Sequence, residues 1–268
     1  MKTFHLASYN RASNGAIEHL RKELEKRKML KPAATADYII AVGDRTETFD
    51  VVLHQWRCGV PIIHLWAGEV SGWNVEDEVY RHSLTLMSMM QLCTNEKAKD
   101  RVTSLCKAVG KKSNVHIVGN VYLDDLSINE SKVPKEPYIL VLYNPPTLLE
   151  EQEVRWEIVE VSNIVICMKM AEKIDKHIWI EPNGDINSKL LEKNVNQINL
   201  PREQFLGLLK NCKYFITNSS CQFYEAPFFL KPKQIISVGV RNKNRESKHA
   251  RMNQQGATEK IIKLLSSL

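Results

Sequence analysis

Tyr38-Ile39-Ile40-Ala41-Val42-Gly43-Asp44-Arg45 decides the fold. Its five leading residues are apolar without alternation, the pattern of a strand buried on both faces. Gly43 interrupts the run, and two charged residues follow. A helical pattern then covers Thr48–Arg57, with Thr48 the expected N-cap, and Val60–Leu65 reads as a second buried strand.

The same strand, polar turn and helix recur outward in both directions. Upstream, Phe4–Ser8 reads as a strand, Tyr9–Gly15 as a polar turn, and Ile17, Leu20 and Leu24 mark one face of a helix. Downstream, helices are expected over Glu76–Met90 and Glu96–Val109, and strands over Gln91–Thr94 and Val115–Val118. The proline-bearing stretch Ser131–Pro137 reads as a linker, and alternation then restarts. Strands are expected at Tyr138–Leu142, His177–Ile180, Gln197–Asn199, Tyr214–Thr217 and Gln234–Val238. Helices are expected from Leu148 to about Ala171, near Asn187–Lys193, over Pro201–Asn211 and over Ala257–Leu265. Such alternation is the mark of parallel sheets covered on both faces. Two doubly wound α/β domains facing a central cleft are expected, one over 1–130 and one over 135–268 that includes the terminal helix.

Composition narrows the function. The 268 residues are 43% apolar and 25% charged, which excludes disorder as the main state. Apolar runs such as Asn163–Met168 fall far short of the ~20 residues of a membrane span. The opening residues lack a signal-peptide pattern, so a cytoplasmic protein is the expectation. Six cysteines without metal-ligand or redox spacing read as reduced thiols. The net charge of +6 is concentrated: Lys231–Arg251 holds seven basic residues against Glu246 alone. No aromatics interleave with those charges, so nucleic acid is an unlikely partner, and a local anion is the better reading.

In doubly wound sheets ligands bind beyond the carboxyl ends of strands, so polar residues there are the candidates. Asp44, Glu69 and Asp77 follow successive strands, a carboxylate set suited to acid–base work. Arg81, four residues after Asp77, is expected to hold that carboxylate ionised. His64 and His82 are weighed as packed histidines. In the second half Ser219 and Ser220 precede a helix, an arrangement that serves an anion or a plain N-cap. Arg241 and Arg245 add guanidinium groups suited to phosphate. Glu225, one turn into the helix, suits ribose hydroxyls. Neither a dinucleotide glycine fingerprint nor a P-loop occurs.

Taken in order, these residues resemble the UDP-N-acetylglucosamine 2-epimerases, most closely the hydrolysing branch. The resemblance is carried by Gly43-Asp44-Arg45, Pro61–Gly72 and Asp77–His82. In the second half it is carried by Thr217–Cys221, Glu225-Ala226, Gly239-Val240-Arg241 and Arg245-Glu246, with Asn10-Arg11-Ala12 fitting the first loop. It implies a GT-B-like pair of Rossmann domains with UDP between them. Arg11, Ala12, Arg45, Asn144, Asn183, Ser219, Ser220, Glu225, Arg241 and Arg245 would meet the UDP-sugar. Asp44, Glu69 and Asp77 would be catalytic, supported by Arg81. The implied chemistry removes the C2 proton and expels UDP, with no metal and no NAD; a glycosyltransferase on the same scaffold and a non-catalytic binder are the alternatives. The chain departs from the family in three ways. Asn144 stands where the family has histidine, Trp66 and Ala67 replace smaller or polar residues, and only Lys28–Ala36 joins the first helix to the Tyr38 strand. That shortening predicts an exposed edge strand in the first sheet and a homo-oligomer formed partly there.

Overall fold

The computed structural model describes residues 2–9, 11–70, 75–146, 149–182, 187–192, 195–242 and 255–268. Two compact units emerge. The first comprises 1–71, 75–125 and 251–268, and the second 72–74 and 126–250. The terminal helix, expected with the second domain, therefore packs on the first. Its Ala257, Ile261 and Leu265 join a core cluster with Leu20, Leu24, Ile40 and Leu65. Asp124 fixes its start by accepting from the backbone of Gly256 and Thr258 at 2.7 and 2.6 Å.

In the first unit, β1 (Phe4–Ala7), β2 (Tyr38–Val42), β3 (Ile62–Leu65), β4 (Met90–Cys93) and β5 (Val115–Ile117) form a parallel sheet in that order. Its helices are α1 (Arg11–Ala16), α2 (Glu18–Lys26), α3 (Thr46–Arg57), α4 (Val75–Met87) and α5 (Glu96–Ala108). Strand residues alternate between the two faces. Phe4, Leu6, Ile40 and Val42 pack with Leu20 and Leu24 of α2, whereas Ala7, Ile39 and Ala41 pack with Val52 of α3 and Leu84 of α4. The steps β1 to β2 and β2 to β3 run the same way across the sheet, yet their helices lie on opposite faces. The two crossovers therefore have opposite hands, and right-handed crossovers are the rule. The exception is the β1–β2 connection, the one the sequence shortens.

Two details differ from expectation. The outer edge of β1 is partly covered, because the Phe4 amide donates to Met29 O at 2.7 Å and the Lys31 amide to Phe4 O at 2.9 Å. The chain connecting α2 to β2 turns back along β1 before crossing. Thr48 is not an N-cap but lies inside α3, buried, with its hydroxyl 3.5 Å from Ala7 O. Arg45, in extended backbone, is the residue that precedes the helix.

The second unit holds β6 (Tyr138–Leu142), β7 (Lys176–Ile180), β8 (Gln197–Ile198), β9 (Tyr214–Thr217) and β10 (Ile235–Ser237). They form a parallel sheet in the order β10-β9-β6-β7-β8. The chain enters at the middle on β6, builds outward through β7 and β8, then crosses back to β9 on the other side of β6. That reversal is a topological switch point. Helices α6 (Glu151–Glu172), α7 (Ser188–Glu192), α8 (Arg202–Asn211) and α9 (Cys221–Tyr224) connect these strands, and α10 (Ala257–Ser266) closes the chain. The sheet separates two apolar clusters, one containing Val154, Ile158, Val161 and Val165 of α6, the other Leu206, Leu208 and Leu209 of α8. Among the described residues no helix is long and apolar enough to cross a membrane.

Candidate functional site

In the first unit the chain leaves β1 toward one face and β2 toward the other, so the connections diverge at their carboxyl ends. Such divergence opens a crevice. Arg11 opens α1 after β1, with Ala12 beside it, and Asp44 and Arg45 follow β2. Gly43 makes the turn in left-handed backbone at φ +74°.

Arg81 of α4 forms an ion pair with Asp44. The guanidinium side chain is 6% exposed and the carboxylate 18%. Asp77 lies one turn earlier on α4, at the spacing expected to meet Arg81, and the buried arginine also reaches across to the β2 turn. His64 explains how the two are aligned. Its Nε2 donates to Gly43 O at 2.8 Å, so Nδ1 is the acceptor side and faces Thr85 Oγ1 at 3.0 Å. The Thr85 hydroxyl also lies 3.0 Å from Arg81 O. One fully buried imidazole thus joins the loop that carries Asp44 to the helix that carries Arg81. Burial lowers its pKa from 6.5 to about 4, so it is neutral. Arg45 lies 3.8 Å from Glu47, in the first turn of the helix it precedes.

Glu69 ends a tight turn after β3. The Trp66 and Ala67 amides both donate to Leu92 O, at 3.0 and 3.2 Å. Trp66 adopts φ +67°, unusual for a bulky residue, and its ring stacks on Tyr122 at 5.0 Å between centroids. Gly68 follows at φ +74°, where an added Cβ would lie 2.3 Å from Ala98 O. Its carbonyl accepts from Arg101. The turn delivers the Glu69 carboxylate to Thr94, whose hydroxyl it accepts, and to Asn95 Nδ2 at 3.4 Å. Asn95 also caps α5 by accepting from the Ala98 amide at 3.0 Å. Sequence reasoning missed Thr94, Asn95 and His64's linking role, because each acts through a neighbour rather than through a motif. His82 packs against Glu78 at 3.5 Å, with burial lowering its pKa.

In the second unit the loops after β6 and β9 meet at the switch point. The Asn144 amide donates to Asn218 Oδ1 at 2.7 Å, and Asn218 Nδ2 donates to Asn144 O at 2.8 Å. Asn242 Nδ2 donates to Asn218 O. Asn218 is fully buried and gathers the carboxyl ends of β6, β9 and β10. Ser219 and Ser220 are thereby held beside Asn144. The helix expected after them, however, is the single turn α9, and Ser220 is not a side-chain cap. Ser219 Oγ instead accepts from the Cys221 amide at 3.4 Å, and the Ser219 amide donates to Thr217 Oγ1 at 2.9 Å. The turn is short because Pro227 removes a helical donor shortly after it.

Glu225 is buried and pairs with Arg202 Nη2 of α8 at 2.6 Å. Burial raises its pKa, against the opposing pull of Arg202. The arginine lies 23 residues earlier on another helix, and no local signal in the sequence joins the two. The loop carrying Arg241 is held by Glu157 of α6. Its carboxylate accepts from Tyr143 Oη at 2.5 Å and from the Val240 amide at 3.2 Å. Gly239, at φ +63°, lets the loop pass that carboxylate closely. Asn183 and Arg245, together with most of the basic stretch, lie outside the described residues.

Residues 6–268 match the family model described as UDP-N-acetylglucosamine 2-epimerase. The chain is 28% identical over 229 residues to the polysialic acid biosynthesis protein P7 of Escherichia coli, covering 79% of this chain and 56% of that protein. It is 28% identical over 233 residues to the GDP/UDP-N,N'-diacetylbacillosamine 2-epimerase (hydrolyzing) of Campylobacter jejuni, covering 81% and 58%. The chain thus spans just over half the length of these relatives. Among solved structures, the S. aureus MnaA–UDP co-structure aligns with a TM-score of 0.66 at 16% identity, over 100% of this chain and 88% of that one. The UDP-GlcNAc 2-epimerase of Neisseria meningitidis bound to UDP-GlcNAc aligns at 0.61 and 16%, over 94% and 80%. The fold is therefore the GT-B-like one of these structures.

Proposed function

Because this chain belongs to the UDP-N-acetylglucosamine 2-epimerase family, we propose that it acts at C2 of a UDP-N-acetylhexosamine, releasing UDP and the free 2-epimer. The observation that carries this reading is the placement of the motif residues. Asp44 and Glu69 follow strands β2 and β3 and Asp77 lies on α4 in the first unit, and the Asn144–Asn218–Ser219 cluster sits at the switch point of the second.

In this reading the diphosphate occupies the switch point, held by Ser219, Ser220 and Arg241. Arg245 and Asn183 contribute from their segments, and Glu225 serves the ribose. Arg11, Ala12 and Arg45 contact the nucleotide from the first unit. One of Asp44, Glu69 and Asp77 takes the C2 proton as the C1–oxygen bond to UDP breaks, which yields a glycal. Water then adds at C1, and a proton returns to C2 on the opposite face. Charge on the departing diphosphate is stabilised by fixed donors. Arg81 forms a buried ion pair with Asp44 and so fixes where that carboxylate sits. The reading needs no metal and no nicotinamide, and full turnover in EDTA checks that. It places the enzyme in the cytoplasm, consistent with six free cysteines.

A second reading rests on Asn144. An amide donates a hydrogen bond to a leaving oxygen but cannot transfer a proton to it, so binding of UDP-sugar without turnover, or transfer to an acceptor, is the alternative. An NMR assay of a UDP-sugar panel in D2O separates them. Deuterium at C2 with release of UDP and free sugar supports hydrolysing epimerisation. Binding without exchange supports the second reading, and no binding overturns both.

A further inference from the structure

Glu69 and Thr94 stand beyond the carboxyl ends of adjacent strands, because β3 and β4 pair with Leu65 opposite Leu92. Helix α5 and the two residues before it hold Glu69 at three points. Gly68 presses against the helix at Ala98 and Val102, and its carbonyl accepts from Arg101. The third point is the carboxylate itself. Thr94, only 5% exposed, gives its hydroxyl to Glu69 Oε1. The Thr94 oxygen in turn accepts from Asn95 Nδ2 at 2.8 Å.

The direction of each bond in this chain is fixed. The Ala98 amide can only donate, so Asn95 turns Oδ1 toward it. Nδ2 is thereby turned to Thr94, and an amide NH2 only donates. The one proton of the Thr94 hydroxyl is then directed to Glu69. Buried hydroxyls elsewhere in the chain are used differently: Ser88 and Thr217 donate to the backbone carbonyls of Leu84 and Leu142. Capping α5 needs Asn95 Oδ1 alone, so the cap does not account for the path from Nδ2 through Thr94 to the carboxylate.

We propose that Thr94 and Asn95 are positioning residues for Glu69, holding its carboxylate in the orientation that meets C2 of the sugar. The proposal rests on the epimerase reading, in which Glu69 is one of the acid–base carboxylates. Glu69 is partly exposed whereas Thr94 is buried, so the carboxylate is steadied from the interior while it reaches the crevice. A glutamate has three side-chain torsions, and proton transfer tolerates little misplacement of the group that makes it.

The D2O exchange assay at C2, run over a range of UDP-GlcNAc concentrations, separates kcat from KM. Thr94→Val replaces the hydroxyl by a methyl group of similar size. It is expected to lower kcat for exchange about tenfold to a hundredfold, with KM within about threefold of wild type. Thr94→Ser restores the donor and should recover at least about a third of the wild-type kcat. Asn95→Asp keeps the cap, since aspartate serves there equally well, but it has no donor for Thr94 and draws the hydroxyl proton away from Glu69. It is expected to lower kcat about tenfold with a melting temperature within about 3 °C of wild type. Wild-type kcat in Thr94→Val, equal losses in Thr94→Val and Thr94→Ser, or a change confined to KM overturns the positioning role. Wild-type kcat in Asn95→Asp overturns it too, and that variant decides where Thr94→Val does not fold. Absence of exchange in the wild type overturns the epimerase reading itself, and this role with it.

Discussion

The side-chain amide of Asn218 grips both backbone groups of Asn144, accepting from its amide at 2.7 Å and donating to its carbonyl at 2.8 Å. A lone asparagine thus does for two loops what a ladder does for two strands. Its removal strands a buried donor and a buried acceptor of Asn144, and each costs about 1–3 kcal/mol. Asn218→Ala is therefore expected to destabilise the second unit by about 2–4 kcal/mol in urea denaturation. Asn218→Asp keeps the acceptor and loses the donor, and should fall between that variant and wild type. If UDP binds at the switch point, both variants weaken UDP binding in calorimetry even where the fold persists.

The ion pair between Arg81 and Asp44 is the second relationship to test. Both side chains are largely buried, and removing one partner leaves an uncompensated charge that costs about 3–5 kcal/mol. Arg81→Met and Asp44→Asn are each expected to lower stability by about 3 kcal/mol. The double variant should lose much less than their sum. A double-mutant cycle by chemical denaturation reads the coupling. Additive losses would show that the two residues act independently.

Gly68 and Gly59 give a controlled comparison. Both adopt left-handed backbone, at φ +74° and +80°. An added Cβ at Gly59 meets nothing within 4 Å, whereas at Gly68 it would lie 2.3 Å from Ala98 O and 2.7 Å from Val102 Cγ2. Gly59→Ala is expected to cost about 1 kcal/mol, the strain of the backbone alone. Gly68→Ala should cost at least about 2 kcal/mol more, because the turn or α5 must move. It should also displace Glu69 and abolish C2 exchange, while Gly59→Ala leaves that exchange intact. Thermal melts with the D2O assay compare the two.

What the sequence made legible follows a physical division. Strands such as Tyr38–Val42 and Tyr214–Thr217 appeared at or near their observed bounds, because burial on both faces writes an unbroken apolar run. The strand-end positions of Asp44, Glu69 and Ser219 were readable for the same reason. Partners were not. Arg81 also pairs with Asp44 of the β2 turn, a contact that helical spacing within α4 does not describe. Arg202 with Glu225, and Glu157 with Tyr143 and Val240, join elements distant in sequence, and no periodicity encodes such contacts.

His64 makes the stability of the first unit depend on pH. The imidazole is fully buried between Gly43 O and Thr85 Oγ1. Burial lowers its pKa from 6.5 to about 4. The unfolded chain therefore takes up a proton near pH 6.5 that the folded chain refuses until about pH 4. For a depressed pKa the contribution is fully present above 6.5 and is lost as pH falls through the window to 4. The difference corresponds to about 3 kcal/mol at most. Urea denaturation at pH 7, 6, 5 and 4 is expected to show falling stability. His64→Gln, which keeps a donor toward Gly43 without titrating, should be less stable at pH 7 and show a shallower slope. The two curves should converge near pH 4 within about 1 kcal/mol. Parallel curves would mean that His64 holds the same charge in both states, and the neutral bridge between Gly43 and Thr85 would then be wrong.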